Sequence, residues 1–269
     1  MTTLGLISQV INNPSLDELR EWTLVPATQT VGGEAFTSEV METSNGAVAF
    51  TSLARSRSAK KTYIIEHPET PLGVRQQGIS IEDANKVIEA VQKYLLEQSV
   101  IQLDRQMGMG ADSLHCRLYI TKPFARIAYM WGQTLYDIHN ADKPADITSV
   151  YVPEWPERII IADVKNKMTW ILGTDYFGEA KKSFLRQAMY IQKKRGGLGL
   201  HAGSKELFIK IAEGDSEAKI KIEKAERVAE GDSEAKIKSV GFLLFGLSGT
   251  GKTTLTIHDH NLQLPEKSI

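Results

Sequence analysis

Gly241–His260, GFLLFGLSGTGKTTLTIHDH, is the stretch on which the reading of this chain turns. Within it, Gly246-Leu247-Ser248-Gly249-Thr250-Gly251-Lys252-Thr253 satisfies G-x-x-x-x-G-K-[ST], and the apolar run Phe242 to Phe245 precedes it. The chemistry explains the residue types. Glycines let backbone amides approach phosphates, Lys252 reaches the outer phosphates, and the Thr253 hydroxyl is offered to a divalent metal. A strand feeding such a loop, with Thr254 behind it opening a helix, predicts nucleoside triphosphate binding rather than an ordinary glycine-rich turn. The sequence stops at Ile269, so the expectation is a nucleotide domain of which only the first strand, loop and helix start are present.

The bulk composition is that of globular material. Of 269 residues, 42% are hydrophobic and 24% charged, with a net charge of −1, which leaves room for one large domain or two smaller ones. Near-neutrality argues against nucleic acid or an anionic membrane surface as partner. The single cysteine, Cys116, excludes an intramolecular disulfide and fits a reducing compartment. The first residues lack the basic and apolar regions of a secretory signal. No run approaches the ~20 apolar residues that span a bilayer. A cytoplasmic location is expected; oligomeric state is not legible.

Working back from the loop, an exact repeat appears: AEGDSEAKIK occupies 212–221 and again 229–238. Two copies are too few for a solenoid. Each joins a Glu-Gly-Asp-Ser turn signal to a Lys-Ile-Lys alternation suited to a strand, so the segment reads either as a charged antiparallel meander or as a solvated insert. Further upstream, 173–194 changes from a strand end to a helix with Ala180, Phe184, Ala188 and Ile191 on one face, which puts Lys181 and Lys182 early in that helix. Glu157 to Asp163 and Met168 to Thr174 are strand-like, joined by a Lys165-Asn166-Lys167 turn. Cys116 to Thr121 predicts a strand, and Pro123 the first turn of a helix carrying Arg126, Tyr129 and Trp131. Ser80 caps a helix with Ala84, Val87, Ile88, Val91 and Leu95 inward, and Ser15 with Glu18 forms a capping box. Strand-like runs Ala47 to Phe50 and Thr62 to Ile65 flank a basic loop with Arg55, Arg57, Lys60 and Lys61, which reads as an anion site or as a solvated loop.

Four motifs, in order, carry a resemblance. FGLSGTGKTTLT resembles the kinase loop of ATP-dependent phosphoenolpyruvate carboxykinases, GTDYFGEAKKS is similar to that family's Gly-Thr-Glu-Tyr-x-Gly-Glu-x-Lys-Lys-Ser signature, GGLGLHAGSK looks like the segment holding its metal-binding histidine, and RSRSAKKTYII resembles Arg-Ser-Pro-Lys-Asp-Lys-Phe-Ile-Val. The family converts oxaloacetate and ATP into phosphoenolpyruvate, ADP and carbon dioxide, with Mn2+ and Mg2+. By resemblance, Arg57 would clamp an oxaloacetate carboxylate with its planar fork, and Tyr176 would line the substrate pocket. Lys182 and His201 would ligate manganese, Lys182 as the free amine. Lys181 would place positive charge near the transferring phosphoryl group. Ser248, Lys252 and Thr253 would hold phosphate and magnesium.

The implied fold is α/β: a mixed-sheet N-terminal substrate domain over 1–200, a charged insert with hairpins over 201–238, and the start of a P-loop-containing nucleotide domain, truncated, over 239–269. Phosphoenolpyruvate and oxaloacetate are the implied partners. The family also carries an Asp-Asp metal motif beyond the loop, and this chain has no Asp-Asp pair. The duplicated insert lengthens the path from His201 to Gly246, which could carry the loop away from the metal site. Two readings therefore stand. One is a fragment of a gluconeogenic carboxykinase whose 269 residues alone have negligible activity; the other is a non-catalytic nucleotide- or substrate-binding module.

Overall fold

The computed structural model describes residues 9–44, 46–138, 143–200, 202–211 and 236–244. The chain divides into two compact units, Met1–Gly199 and Leu200–Ile269. In the first, the strands are β1 (Gln9–Asn12), β2 (Thr28–Val31), β3 (Glu34–Thr37), β4 (Val40–Glu42), β5 (Val48–Phe50), β6 (Thr62–Ile65), β7 (Gln77–Ile79), β8 (Ser99–Met107), β9 (Leu114–Thr121), β10 (Ile147–Val152), β11 (Ile159–Asp163) and β12 (Met168–Leu172). The helices are α1 (Leu16–Thr23), α2 (Ile81–Leu95), α3 (Ala125–Gly132) and α4 (Phe177–Lys194).

Eight strands form one mixed sheet in the order β1-β8-β9-β10-β12-β11-β6-β7. β9, β10 and β12 run parallel, whereas β8 and β11 are antiparallel to their neighbours β9 and β12. Apolar side chains alternate between the two faces, as the period of a strand requires. Ile147 and Tyr151 of β10 join the core under α1, α3 and α4, which holds Leu19, Ile127, Trp131, Ala180 and Phe184. Val150 and Val152 face the opposite side, where Ala84, Val91 and Leu95 of α2 cover Ile161 and Trp170. The sheet is thus sandwiched between helices, with Trp131 of α3 and Phe184 of α4 in ring contact at 4.7 Å. Cys116 is fully buried in β9, and burial pushes its thiol up to about 12.

Local signals act as expected. The Ser15–Glu18 capping box opens α1 and Ser80 caps α2 through the Asp83 amide. Pro123 sits in a 3-10 turn, Lys122–Phe124, that leads into α3. β11 and β12 form the expected hairpin, with Lys167 at φ 56° and Asn166 bonded to Asp163. The two runs flanking the basic loop part company, however. β5 pairs with β4 in a small separate sheet, while β6 lies between β11 and β7 in the main one. Burial explains the split, since Ile64 and Ile65 are buried on opposite faces and only an interior strand can hide both.

In the second unit, β13 (Gly203–Ile211) and β14 (Lys236–Leu244) pair antiparallel, with Gly203 opposite Leu244 and Ile211 opposite Lys236. β14 covers most of the strand expected ahead of the phosphate loop, but it begins at Lys236, inside the stretch assigned to the insert, and β13 lies wholly within that stretch. The first copy of the repeat and residues 229–235 of the second lie outside the described residues.

Candidate functional site

Strand direction decides which loops meet in the first unit. β12 runs opposite to β11, and β11 is parallel to β6. The C-terminal end of β12 therefore shares a sheet edge with the N-terminal ends of β11 and β6, with Leu172 opposite Ile159 and Thr62 opposite Ile160. The loop before β6, the turn after β12 and the start of α4 all emerge at that edge.

Two buried carboxylates tie these segments together. Asp175 is 1% exposed and accepts hydrogen bonds from the Leu53 and Ala54 amides at 3.0 and 2.9 Å. It also accepts from Arg126 Nη2 of α3 at 2.9 Å, and Arg126 donates through Nη1 to Gln29. Burial lowers the Arg126 pKa, and Asp175 pushes against that shift. Glu179, also 1% exposed, lies in the first turn of α4. Its Oε1 accepts the Ser58 amide at 2.7 Å, while Arg57 Nε stands 3.6 Å from Oε2. Arg57 is thereby held at the rim, 41% exposed at its side chain, between anchored neighbours. Such an arrangement can present a guanidinium fork to an anion without leaving the loop free to swing.

Tyr176 is positioned from both sides. The buried Tyr151 hydroxyl donates to its carbonyl at 2.9 Å, and burial raises the Tyr151 pKa well above the phenol's ordinary value. Its ring covers Gly178, where an added Cβ would come within 2.4 Å of the ring. Lys181 is exposed and Lys182 half-buried on the next turn of α4.

The structure therefore brings Arg57, Tyr176, Lys181 and Lys182 to one edge of the first unit. The remaining expected site residues, His201, Gly246, Leu247, Ser248, Gly249, Thr250, Gly251, Lys252, Thr253 and Thr254, lie outside the described residues. Among the described residues, no group of three or more His, Cys, Asp or Glu side chains could hold a metal ion, so Lys182 is the single expected metal ligand whose surroundings are described. Sequence reasoning passed over Asp175 and Glu179. Both lie inside the GTDYFGEAKKS motif, and the signal was an acid just before and just inside a helix whose adjoining face is apolar. No helix among the described residues is long and apolar enough to cross a membrane.

Comparison with known proteins identifies the family. A family model described as phosphoenolpyruvate carboxykinase matches residues 8–265. The phosphoenolpyruvate carboxykinase (ATP) of Aeropyrum pernix is 30% identical over 186 residues, covering 69% of this chain and 33% of that protein. The protein of the same name from Geobacillus thermodenitrificans is 26% identical over 233 residues, covering 80% of this chain and 38% of its own length. One from Urochloa panicoides is 28% identical over 203 residues, with coverages of 72% and 27%. The chain spans roughly a third of the length of the curated relatives it matches. With a mixed α/β sheet, a clamped arginine loop and a match over most of its length, this chain belongs to the phosphoenolpyruvate carboxykinase family.

Proposed function

We propose that this chain carries the substrate-binding part of an ATP-dependent phosphoenolpyruvate carboxykinase, and that its parent reaction converts oxaloacetate and ATP into phosphoenolpyruvate, ADP and carbon dioxide in gluconeogenesis. The observation that supports this best is the Arg57 loop, bracketed by backbone bonds to buried Asp175 and Glu179 and set at the same edge as Tyr176 and Lys182. Arg57 would grip a substrate carboxylate, Tyr176 would wall the pocket, and exposed Lys181 would offer charge to the transferring phosphoryl group. Loss of carbon dioxide leaves an enolate, whose oxygen then attacks the γ-phosphorus of ATP as ADP departs. Gly246 to Thr254 would cradle the phosphates. Lys182, His201 and Thr253 would hold Mn2+ and Mg2+, which neutralise developing negative charge when bound. The three domain segments, 1–200, 201–238 and 239–269, are proposed in the same sense, as is a cytoplasmic location.

The chain alone is proposed to turn over negligibly, because it lacks the Asp-Asp pair that the resemblance leads one to expect. A non-catalytic binding module is the second reading. A titration of manganese and ATP, read by thermal unfolding, separates a working site from a vestigial one. Stabilisation that Lys252→Ala and His201→Ala each weaken supports the carboxykinase site. No shift at millimolar ligand overturns binding by this chain. Coupled assay of phosphoenolpyruvate formation tests turnover directly.

A further inference from the structure

A cleft with about 280 Å³ of empty space, mouth included, opens in the first unit between the end of α1, the small β4–β5 sheet and the start of α3. Trp22, Val25, Pro26, Val40, Phe50 and Pro123 give it apolar walls, and Val25 is 71% exposed, so that part of the wall meets solvent. The polar side chains of the lining are Thr23, Gln29, Ser38 and Arg126. Three of these are engaged locally. Thr23 Oγ1 donates to the Arg20 carbonyl at 2.6 Å and Ser38 Oγ to the Thr51 carbonyl at 2.8 Å, while Gln29 donates to the Pro123 carbonyl and accepts from Arg126. Arg126 is different. It is 5% exposed, and of the five N–H groups that a guanidinium carries, the described residues engage one through Gln29 and one through Asp175. The others are left for an acceptor that the lining does not supply.

Charge and wall chemistry identify that acceptor. Arg126 is the one charged residue of the lining, which holds no carboxylate of its own. Its buried partner Asp175 is shared with the Leu53 and Ala54 amides. Burial lowers the Arg126 pKa in spite of Asp175, so the positive charge is under-compensated where it stands. Lys122 Nζ adds a second positive charge 5.1 Å from the centre of the Trp22 ring. A guanidinium with N–H groups to spare favours an oxygen anion, and walls of this composition favour hydrocarbon. Phosphate meets the first demand and leaves the walls wet; an alcohol meets the second and leaves the charge unpaired. The cleft is smaller than those that enclose drug-sized ligands, so a tail of a few carbons fills it. We propose that this cleft binds a small monocarboxylate, its carboxylate on Arg126 and its hydrocarbon tail along Trp22, Val40 and Phe50. The site is read from the cleft alone and does not depend on the oxaloacetate reading.

Calorimetric titration of the 269-residue chain with hexanoate, acetate, hexan-1-ol and inorganic phosphate tests it, with Ala27→Phe, Arg126→Gln and Arg57→Gln alongside. Hexanoate should bind about tenfold or more tightly than acetate, since one methylene fully withdrawn from water tightens binding roughly fourfold and a half-open cleft realises part of that for each carbon added. Hexan-1-ol and phosphate, lacking the charge or the tail, should each bind about tenfold or more weakly than hexanoate. Ala27 is an exposed residue of the lining, so Ala27→Phe fills the cleft and leaves the Arg126–Asp175 pair in place. That variant should lose hexanoate binding at an unchanged urea midpoint, and Arg57→Gln should keep wild-type affinity. Arg126→Gln should weaken binding about tenfold or more, as loss of a charged hydrogen bond predicts; should it fail to fold, Ala27→Phe decides. Acetate, hexan-1-ol or phosphate bound as tightly as hexanoate overturns the proposal, because the tail or the charge then contributes nothing. Hexanoate that Arg57→Gln abolishes and Ala27→Phe retains overturns it too, since the ligand then sits at the Arg57 edge. So does a wild-type chain that binds no hexanoate at millimolar concentration.

Discussion

Asp175 accepts hydrogen bonds from the Leu53 amide, the Ala54 amide and the Arg126 guanidinium, so one carboxylate joins the turn after β12 to a distant loop and to α3. Asp175→Ala would strand Arg126 as a buried charge and orphan two amides. Removing one partner of a buried pair costs about 3–5 kcal/mol, and urea unfolding should show a loss of that size, whereas Asp175→Asn, which keeps an acceptor, should lose less. A wild-type midpoint in Asp175→Ala would mean the pair contributes nothing. Two other carboxylates set opposite pH dependences. Burial alone would raise Asp104, but the Arg117 fork, His115 and Asn13 outweigh it and hold the carboxyl below its usual value. Its contribution is therefore complete above about pH 4 and is lost as pH falls through the lower folded value. Burial raises Glu154, and hydrogen bonds from Thr121 and Tyr94 only partly offset this. Here the fold favours the neutral acid, so stability falls as pH rises from about 4.3 through the raised folded value. Glu154→Gln should flatten the decline in urea midpoint that sets in above about pH 4. An unchanged profile would show that Glu154 is not its source.

Elements form here for local reasons but assemble for non-local ones, and this sets what could be read beforehand. The Ser15 and Ser80 caps, the Lys165-Asn166-Lys167 turn and the apolar face of α4 all depend on neighbours within a few residues, and each was legible. The separation of β5 from β6 was not, because it depends on which distant strands hide Ile64 and Ile65. The exit from β12 is the most constrained joint. Gly173 has φ 65°, and a Cβ there would meet the Glu157 carbonyl oxygen at 2.3 Å. Gly173→Ala is expected to destabilise the unit by well over about 1 kcal/mol, since strain in the left-handed region adds to a backbone clash that no rotamer relieves. The turn it distorts also positions Asp175 and Tyr176, so under the proposed substrate-binding role any affinity for a dicarboxylate such as L-malate should drop together with the unfolding midpoint. Loss of stability with unchanged affinity would uncouple the joint from the site.

For the molecule as a whole, the family was legible in four short motifs, while the devices that hold Arg57 were not. An acid at a helix start reads from sequence as a partner for the helix dipole, and only the fold reveals that Glu179 instead binds the Ser58 amide from far along the chain. The duplicated segment makes the converse point. Sequence distance suggests that residues 212–235 could push His201 and Gly246 apart; those residues lie outside the described ones, and what the register shows is that Gly203 pairs with Leu244 and Ile211 with Lys236. Replacing 212–235 by a two-residue Asn-Gly turn is therefore expected to preserve the ribbon. The shorter closure should stabilise it by about 2 kcal/mol, from the logarithmic dependence of loop entropy on length. Hydrogen exchange of the Gly203–Ile211 amides checks this without reference to ligand, and slower exchange in the shortened chain is the expected outcome. Any manganese–ATP stabilisation seen in the intact chain should persist, because the insert joins the strands only at the end where Ile211 meets Lys236. Exchange that becomes faster, or a ligand response that disappears, would instead make the repeat part of what holds the two strands in register.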